Sequence, residues 1–176
     1  DRPAIRWRDR TWSYAELTER SRRFANALLD RGIGVHRERG ELAGHESGQD
    51  QVALYLHNGN EYLEAMLGAF KGRSAPFNVN YRYVAEELRY LLDNADARAI
   101  VYHATFAPIL EEVLPELPDL QLLVQVADDS GNPLLPDAID YEELLAAASP
   151  ERPDVAWSPD DLYILYTGGT TGMPKG

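Results

Sequence analysis

Val52-Ala53-Leu54-Tyr55-Leu56 and Ala75-Pro76-Phe77-Asn78-Val79 are two short apolar runs, and the residues between them follow a different period. Five successive residues with no polar alternation fit a strand buried on both faces. In the intervening stretch, Tyr62, Leu63, Met66, Leu67 and Phe70 recur at helical spacing and form one apolar side. Asn60 stands where an N-cap is expected. Strand, helix and strand in so short a span predict a βαβ unit, the building block of a parallel sheet.

The same alternation extends in both directions. Upstream, Ala4-Ile5-Arg6-Trp7 and Arg10-Thr11-Trp12 flank Arg8-Asp9 and predict a hairpin. Ser13-Tyr14-Ala15-Glu16 reads as a capping box that opens a helix, with Tyr14, Leu17, Phe24 and Leu28 on its apolar side and Gly32 and Gly34 at its end. Val35 to Asp50 is polar, carries Gly40, Gly44 and Gly48, and predicts a surface loop. Downstream, a helix is expected over Val84 to Asp93, with Leu88, Leu91 and Leu92 inward. A strand follows over Ala99 to Tyr102, then a helix over Thr105 to Leu114 stopped by Pro115, and a strand over Leu120 to Val126. Asp128 to Pro136 is turn-rich, Tyr141 to Ala148 predicts a short helix, and Leu162 to Tyr166 reads as a last buried strand. The expected fold is one α/β unit, a largely parallel sheet with helices on both faces.

Composition narrows the function. The chain of 176 residues is 44% hydrophobic and 26% charged, ordinary values for one globular domain. A net charge of −12 argues against nucleic acid or an anionic membrane as the main partner, since both reward basic surfaces. With no cysteine there is no disulfide, thiolate metal site or cysteine nucleophile, which suits a cytoplasmic setting. No apolar run approaches membrane-spanning length, and Asp1-Arg2-Pro3-Ala4 is not the start of a signal peptide. His36, His45, His57 and His103 lack metal-ligand spacing, so no metal site and no catalytic residue is assigned to them. The acidic pairs Glu86-Glu87, Glu111-Glu112 and Glu142-Glu143 are read as solvated helix faces and first turns, and Tyr81-Arg82-Tyr83 as packing.

The chemistry is concentrated in Tyr166-Thr167-Gly168-Gly169-Thr170-Thr171-Gly172-Met173-Pro174-Lys175-Gly176. Glycines permit positive φ and remove Cβ atoms, so consecutive backbone N–H groups can converge on an anion. Thr167, Thr170 and Thr171 add hydroxyl donors, and Lys175 adds a positive charge. These residues together form a candidate polyphosphate cradle, set at the carboxyl end of a strand where ligand loops of α/β sheets sit. It is not a Walker loop, which needs glycine directly before lysine, whereas Pro174 precedes Lys175.

In this order the loop resembles the signature of the adenylate-forming enzymes (acyl-CoA synthetases, luciferases and peptide-synthetase adenylation domains), written Tyr-Thr-Ser-Gly-Thr-Thr-Gly-x-Pro-Lys-Gly. It departs from that signature at Gly168, which stands where the family usually has serine. The Ser13–Leu17 segment, Val52–Leu56 with Asn58 and Glu61-Tyr62, and Ala75–Asn80 are also similar to the opening region of acyl-CoA synthetases. His36 to Gln51 is longer than the family's turn there and reads as a surface insertion.

The resemblance implies that residues 1–176 are the N-terminal part of an adenylation domain, with the rest of that domain and a C-terminal lid absent, so that the piece alone is inactive. It implies ATP, Mg²⁺ and coenzyme A as cofactors or co-substrates. A carboxylic acid, of the fatty class by the likeness at Asn78-Val79-Asn80-Tyr81-Arg82, would be the acyl substrate. Thr167, Gly168, Gly169, Thr170, Thr171, Gly172 and Lys175 would bind the ATP phosphates. A carrier-loading adenylation domain and a non-catalytic relative are the alternatives, and the resemblance admits a homodimer.

Overall fold

The computed structural model describes residues 1–167. Its centre is a five-stranded parallel sheet in the order β4-β3-β5-β6-β7, formed by β3 (Gln51–Tyr55), β4 (Ala75–Asn78), β5 (Ala97–His103), β6 (Leu122–Val126) and β7 (Ala138–Asp140). A separate antiparallel hairpin joins β1 (Pro3–Trp7) to β2 (Arg10–Ser13), with Arg8 at φ 52° in the turn. The expected α/β fold with a parallel sheet is therefore present.

Side-chain alternation along the strands divides the core into two layers. Val52 and Leu54 of β3, Ala99 and Val101 of β5, and Leu122 and Val124 of β6 pack with α1 (Tyr14–Leu29), α2 (Asn60–Lys71) and α5 (Tyr141–Ala147). Ala53 and Tyr55 of β3, Ile100 and Tyr102 of β5, and Phe77 of β4 point the other way, onto α3 (Ala85–Asn94) and α4 (Ala107–Val113). Because both faces are covered, each β3 residue is buried and the strand shows no polar alternation.

The cap of α1 forms as its sequence predicts. The Glu16 backbone N–H donates to Ser13 Oγ at 3.2 Å, and the Ser13 backbone N–H donates to Glu16 Oε2 at 2.7 Å. Helix α1 ends at Leu29, and Gly32 takes the left-handed φ of 72° just beyond it. Gly68 has a packing reason. A Cβ there would lie 2.8 Å from Phe24 Cδ1 and 2.8 Å from the Ser21 carbonyl oxygen, so α1 and α2 approach closely only because the side chain is missing.

Three local expectations are corrected, and one strand is added. Asn60 does not cap α2; Gly59 occupies that position and the Asn60 side chain donates to Glu64 inside the helix. The helix expected over Thr105 to Leu114 is three pieces, a 3₁₀ turn at Ala104–Phe106, α4, and a 3₁₀ turn at Leu114–Glu116, so Pro115 lies within the final turn. Strand β7 follows the turn-rich stretch, where the sequence carries no expectation, because three half-buried residues are too few to show a period. The predicted strand over Leu162 to Tyr166 is reduced to an isolated parallel bridge, Ile164 to Phe77, with Leu162 39%, Tyr163 41% and Leu165 62% exposed. Its apolar run lies against the outer edge of β4, where, among the described residues, a strand pairs with it on one side.

Candidate functional site

The segment leading toward the glycine-rich loop is anchored mainly from the amino end of the sheet. Arg73, between α2 and β4, is buried and has the left-handed φ of 57°, a costly conformation for a residue with a side chain. Its guanidinium meets two carboxylates. Nη1 and Nη2 donate to Glu38 at 2.7 and 2.9 Å, and Nε and Nη2 donate to Asp161 at 3.1 and 2.9 Å. These hydrogen bonds hold the Glu38 carboxyl below its ordinary pKa range. Gln49 adds a second tie, donating to the Arg73 carbonyl at 2.9 Å and accepting from the Leu162 backbone N–H at 2.7 Å. The surface loop expected from Val35 to Asp50 thus has a structural task, since Glu38 and Gln49 both belong to it.

From Asp161 the chain runs parallel to β4 toward the carboxyl edge. The Ile164 backbone N–H donates to the Pro76 carbonyl at 3.3 Å. Tyr163 meets Phe70 and Tyr166 meets Phe77, each with ring centroids 5.9 Å apart, and the Tyr166 hydroxyl donates to Asn94 Oδ1 at 2.9 Å. Thr167 follows, exposed to solvent. Of the predicted phosphate-binding residues only Thr167 lies within the described region; Gly168, Gly169, Thr170, Thr171, Gly172 and Lys175 lie outside it.

The carboxyl edge also gathers residues that sequence spacing leaves apart. His57 follows β3 and His103 ends β5, and their ring centroids are 5.6 Å apart. The His57 backbone N–H donates to His103 Nδ1 at 3.1 Å, which fixes that nitrogen as an acceptor in the neutral ring. Burial, then the nearby His57, keeps the His103 imidazole below the ordinary histidine range, with Asp128 opposing. Tyr81 and Phe106 pack on His57 with centroids at 5.1 and 4.9 Å. Asp128 accepts from the Thr105 backbone N–H at 2.8 Å. Burial raises the Asp128 carboxyl, but hydrogen bonds from Ser130 and Thr105 outweigh that and leave it low. Tyr81 is 46% exposed and touches His57 through its ring. His36 sits elsewhere, with Nε2 2.6 Å from Asp50 Oδ2 just before β3. Among the described residues, no group of three His, Cys, Asp or Glu side chains could hold a metal ion. No helix of the described region is long and apolar enough to cross a membrane.

Comparison with known proteins places this geometry. A family model described as AMP-binding enzyme matches residues 1–176. The chain is 58% identical over 176 residues to the medium-chain acyl-CoA ligase Mig of Mycobacterium avium, covering all of this chain and 32% of that protein. It is 40% identical over 177 residues to the 3-oxocholest-4-en-26-oate–CoA ligase of Rhodococcus rhodochrous, covering all of this chain and 30% of that protein. The chain thus spans about a third of the length of these curated relatives, 32% and 30%. Among solved structures, the inhibitor-bound N-terminal domain of FACL13 from Mycobacterium tuberculosis matches with a TM-score of 0.73 at 27% identity, over 96% of this chain and 37% of that one. The anthranilate CoA ligase AuaEII in complex with anthranoyl-AMP shares the fold, with a TM-score of 0.84 at 19% identity over 99% of this chain and 30% of that one.

Proposed function

This chain belongs to the AMP-binding enzyme family, and on that premise we propose that it is the N-terminal, phosphate-binding part of an AMP-forming acyl-CoA ligase acting on medium-chain fatty acids. The observation that carries the reading is the 58% identity, along the entire chain, to a medium-chain acyl-CoA ligase. The loop motif supplies the chemistry. In the whole enzyme a substrate carboxylate oxygen attacks the α-phosphorus of ATP, the bond to the β-phosphate oxygen breaks, and pyrophosphate leaves. The thiol of coenzyme A then adds to the acyl carbon, loses its proton, and expels AMP.

Such a reaction needs positioning and charge neutralisation more than covalent help from the protein. Thr167, Gly168, Gly169, Thr170, Thr171 and Gly172 would hold the β- and γ-phosphates through backbone N–H groups and hydroxyls, with Lys175 adding charge. The described geometry fits that role, since the Arg73, Gln49 and Asp161 ties run the chain along β4 and leave Thr167 exposed. Mg²⁺ would arrive bound to the phosphates, and this part of the chain is assigned no ligand to it. A cytoplasmic setting, and a homodimer as an option, complete the reading.

ATP–pyrophosphate exchange on the full-length protein with a panel of carboxylic acids tests it. Exchange with medium-chain acids is expected, followed by thioester formation with free coenzyme A. Exchange with no acid would overturn the enzyme reading, and exchange without transfer to coenzyme A would point to a carrier-loading enzyme. Thr170→Ala with Thr171→Ala is expected to weaken exchange by about 2.7 to 4 kcal/mol in the transition state. An unchanged ATP dependence would remove these residues from the site.

A further inference from the structure

A cavity of about 500 Å³ opens between α1, α2 and the segment around Arg152 to Trp157. Its walls are apolar, from Leu67, Phe70 and Trp157, and basic, from Arg22, Lys71 and Arg152. Among the described residues no aspartate or glutamate lines it, in a chain with 29 acidic and 17 basic residues. Arg73 also reaches this wall, but Glu38 and Asp161 neutralise it.

The other three cations are not neutralised in this way. Among the described residues none of them forms an ion pair, whereas Arg20, Arg23, Arg37, Arg73, Arg89 and Arg98 all do. The Lys71 ammonium has neutral partners, the Ser21 hydroxyl and, at 3.5 Å, the Thr18 carbonyl. Burial, then the adjacent Arg22, lowers its pKa. Arg22 also borders a neighbouring hollow that holds Asp1 and Glu19, but no described carboxylate pairs with these cations, so an arriving anion meets like charges and relieves their repulsion. Trp157 is 75% exposed among the described residues and presents a large ring at the rim of the cavity. A concave apolar surface with a few convergent charges is the usual form of a small-ligand site.

We propose that this cavity is a second binding site, for a single-chain anionic amphiphile whose head group meets Arg22, Lys71 and Arg152 and whose hydrocarbon lies over Leu67, Phe70 and Trp157. Charge complementarity selects the head group, and the aromatic and leucine wall selects the tail. A purely polar anion leaves the wall wet, and a neutral lipid leaves the cations unpaired. The site does not depend on the proposed ligase activity, because none of its residues belongs to the phosphate loop.

Sodium decyl sulfate is a suitable probe, since its head group cannot be adenylated. Calorimetric titration of the full-length protein below the micelle threshold is expected to show saturable binding. The binding should be weakened at least tenfold by Arg22→Ala with Arg152→Ala, and again by Trp157→Ala. Decanol and decyltrimethylammonium should bind at least tenfold more weakly, and ATP–pyrophosphate exchange should be unchanged in the variants. Absence of saturable binding, equal binding by the double variant, or equal binding of the cationic amphiphile each overturns the proposal. Charge-dependent sedimentation with phosphatidylglycerol vesicles, without binding of monomeric decyl sulfate, would overturn it in favour of a membrane surface. Should the variants fail to fold, an anionic diazirine amphiphile on the unchanged protein decides the matter. Labelling of peptides containing Leu67, Phe70 or Trp157 upholds the site, and labelling elsewhere removes it.

Discussion

The two faces of the parallel sheet are closed by different physics. Helices α3 and α4 cover theirs with aliphatic and aromatic contact, and its central polar tie is the Tyr102 hydroxyl donating to Gln125 Oε1 at 2.9 Å. Helices α1, α2 and α5 cover the other with an apolar layer that also encloses a carboxylate. Glu64 is fully buried, with Arg20 Nε 2.9 Å from one oxygen, the Asn60 side-chain amide donating to that same oxygen, and the Tyr141 hydroxyl donating to the other at 3.1 Å. Arg20 continues to Glu142 with two further hydrogen bonds, at 2.9 and 2.6 Å. The helices of the ionic face, α1, α2 and α5, are spread from Tyr14 to Ala147, while α3 and α4 lie close in sequence with β5 between them. A directional network gives three distant helices one register, which non-directional burial of alanine and leucine would specify less sharply.

The largest test of that contrast is Glu64→Ala. Removing the carboxylate strands the Arg20 charge, the Tyr141 hydroxyl and the Asn60 amide, and about 3 to 5 kcal/mol of unfolding free energy is expected to be lost in urea titration. A loss below about 1 kcal/mol, the scale of a surface pair, would show that the ionic face is held by packing alone. Gly68→Ala comes next. In an open helix this change is favourable by about 1 kcal/mol. Here the new methyl meets Phe24 and the Ser21 carbonyl at 2.8 Å, so a net loss of about 1 to 3 kcal/mol is expected. A gain in stability would mean that α1 and α2 can move apart freely.

The apolar layers were far more legible in the sequence than the ionic network that joins α1, α2 and α5. Leu88, Leu91 and Leu92 announce α3 by their spacing, and uninterrupted apolar runs announce β3 and β5. Nothing in the spacing of Arg20, Glu64 and Glu142 distinguishes them from solvated charges, because their meeting depends on how α1, α2 and α5 stack. The Glu142-Glu143 pair, read as a first-turn feature, includes one partner of Arg20. The site divides in the same way. Glycines, threonines and a lysine in a fixed order are visible as local chemistry, whereas the anchor formed by Glu38, Gln49, Arg73 and Asp161 spans most of the chain. His57 and His103 likewise meet only because β3 and β5 are adjacent.

On the dry face, Tyr102→Phe should cost about 1 kcal/mol, the net value of one hydrogen bond, since the ring keeps its packing and Gln125 keeps its contact with the Leu135 backbone N–H. A cost matching Glu64→Ala would erase the distinction between the faces.

Alkaline pH gives the finest comparison. Burial, then the Glu64 charge, raises the Tyr141 hydroxyl well above its ordinary pKa, and burial pushes Tyr55 on the opposite face up to about 12. A raised pKa means that the folded protein keeps a proton that the unfolded chain releases. The associated stability is therefore complete below about pH 10, the ordinary tyrosine value, and is lost as pH rises from there through the folded-state value. Urea midpoints should fall from pH 10 upward. Tyr141→Phe should flatten part of that fall while lowering stability at neutral pH, and Tyr55→Phe should flatten another part with little neutral-pH cost, because no hydrogen bond is lost with its hydroxyl among the described residues. If neither variant changed the alkaline slope, proton retention by the two buried hydroxyls would not be its source. If Tyr55→Phe alone changed it, the ionic face would be admitting water around Tyr141 well before the dry face opens.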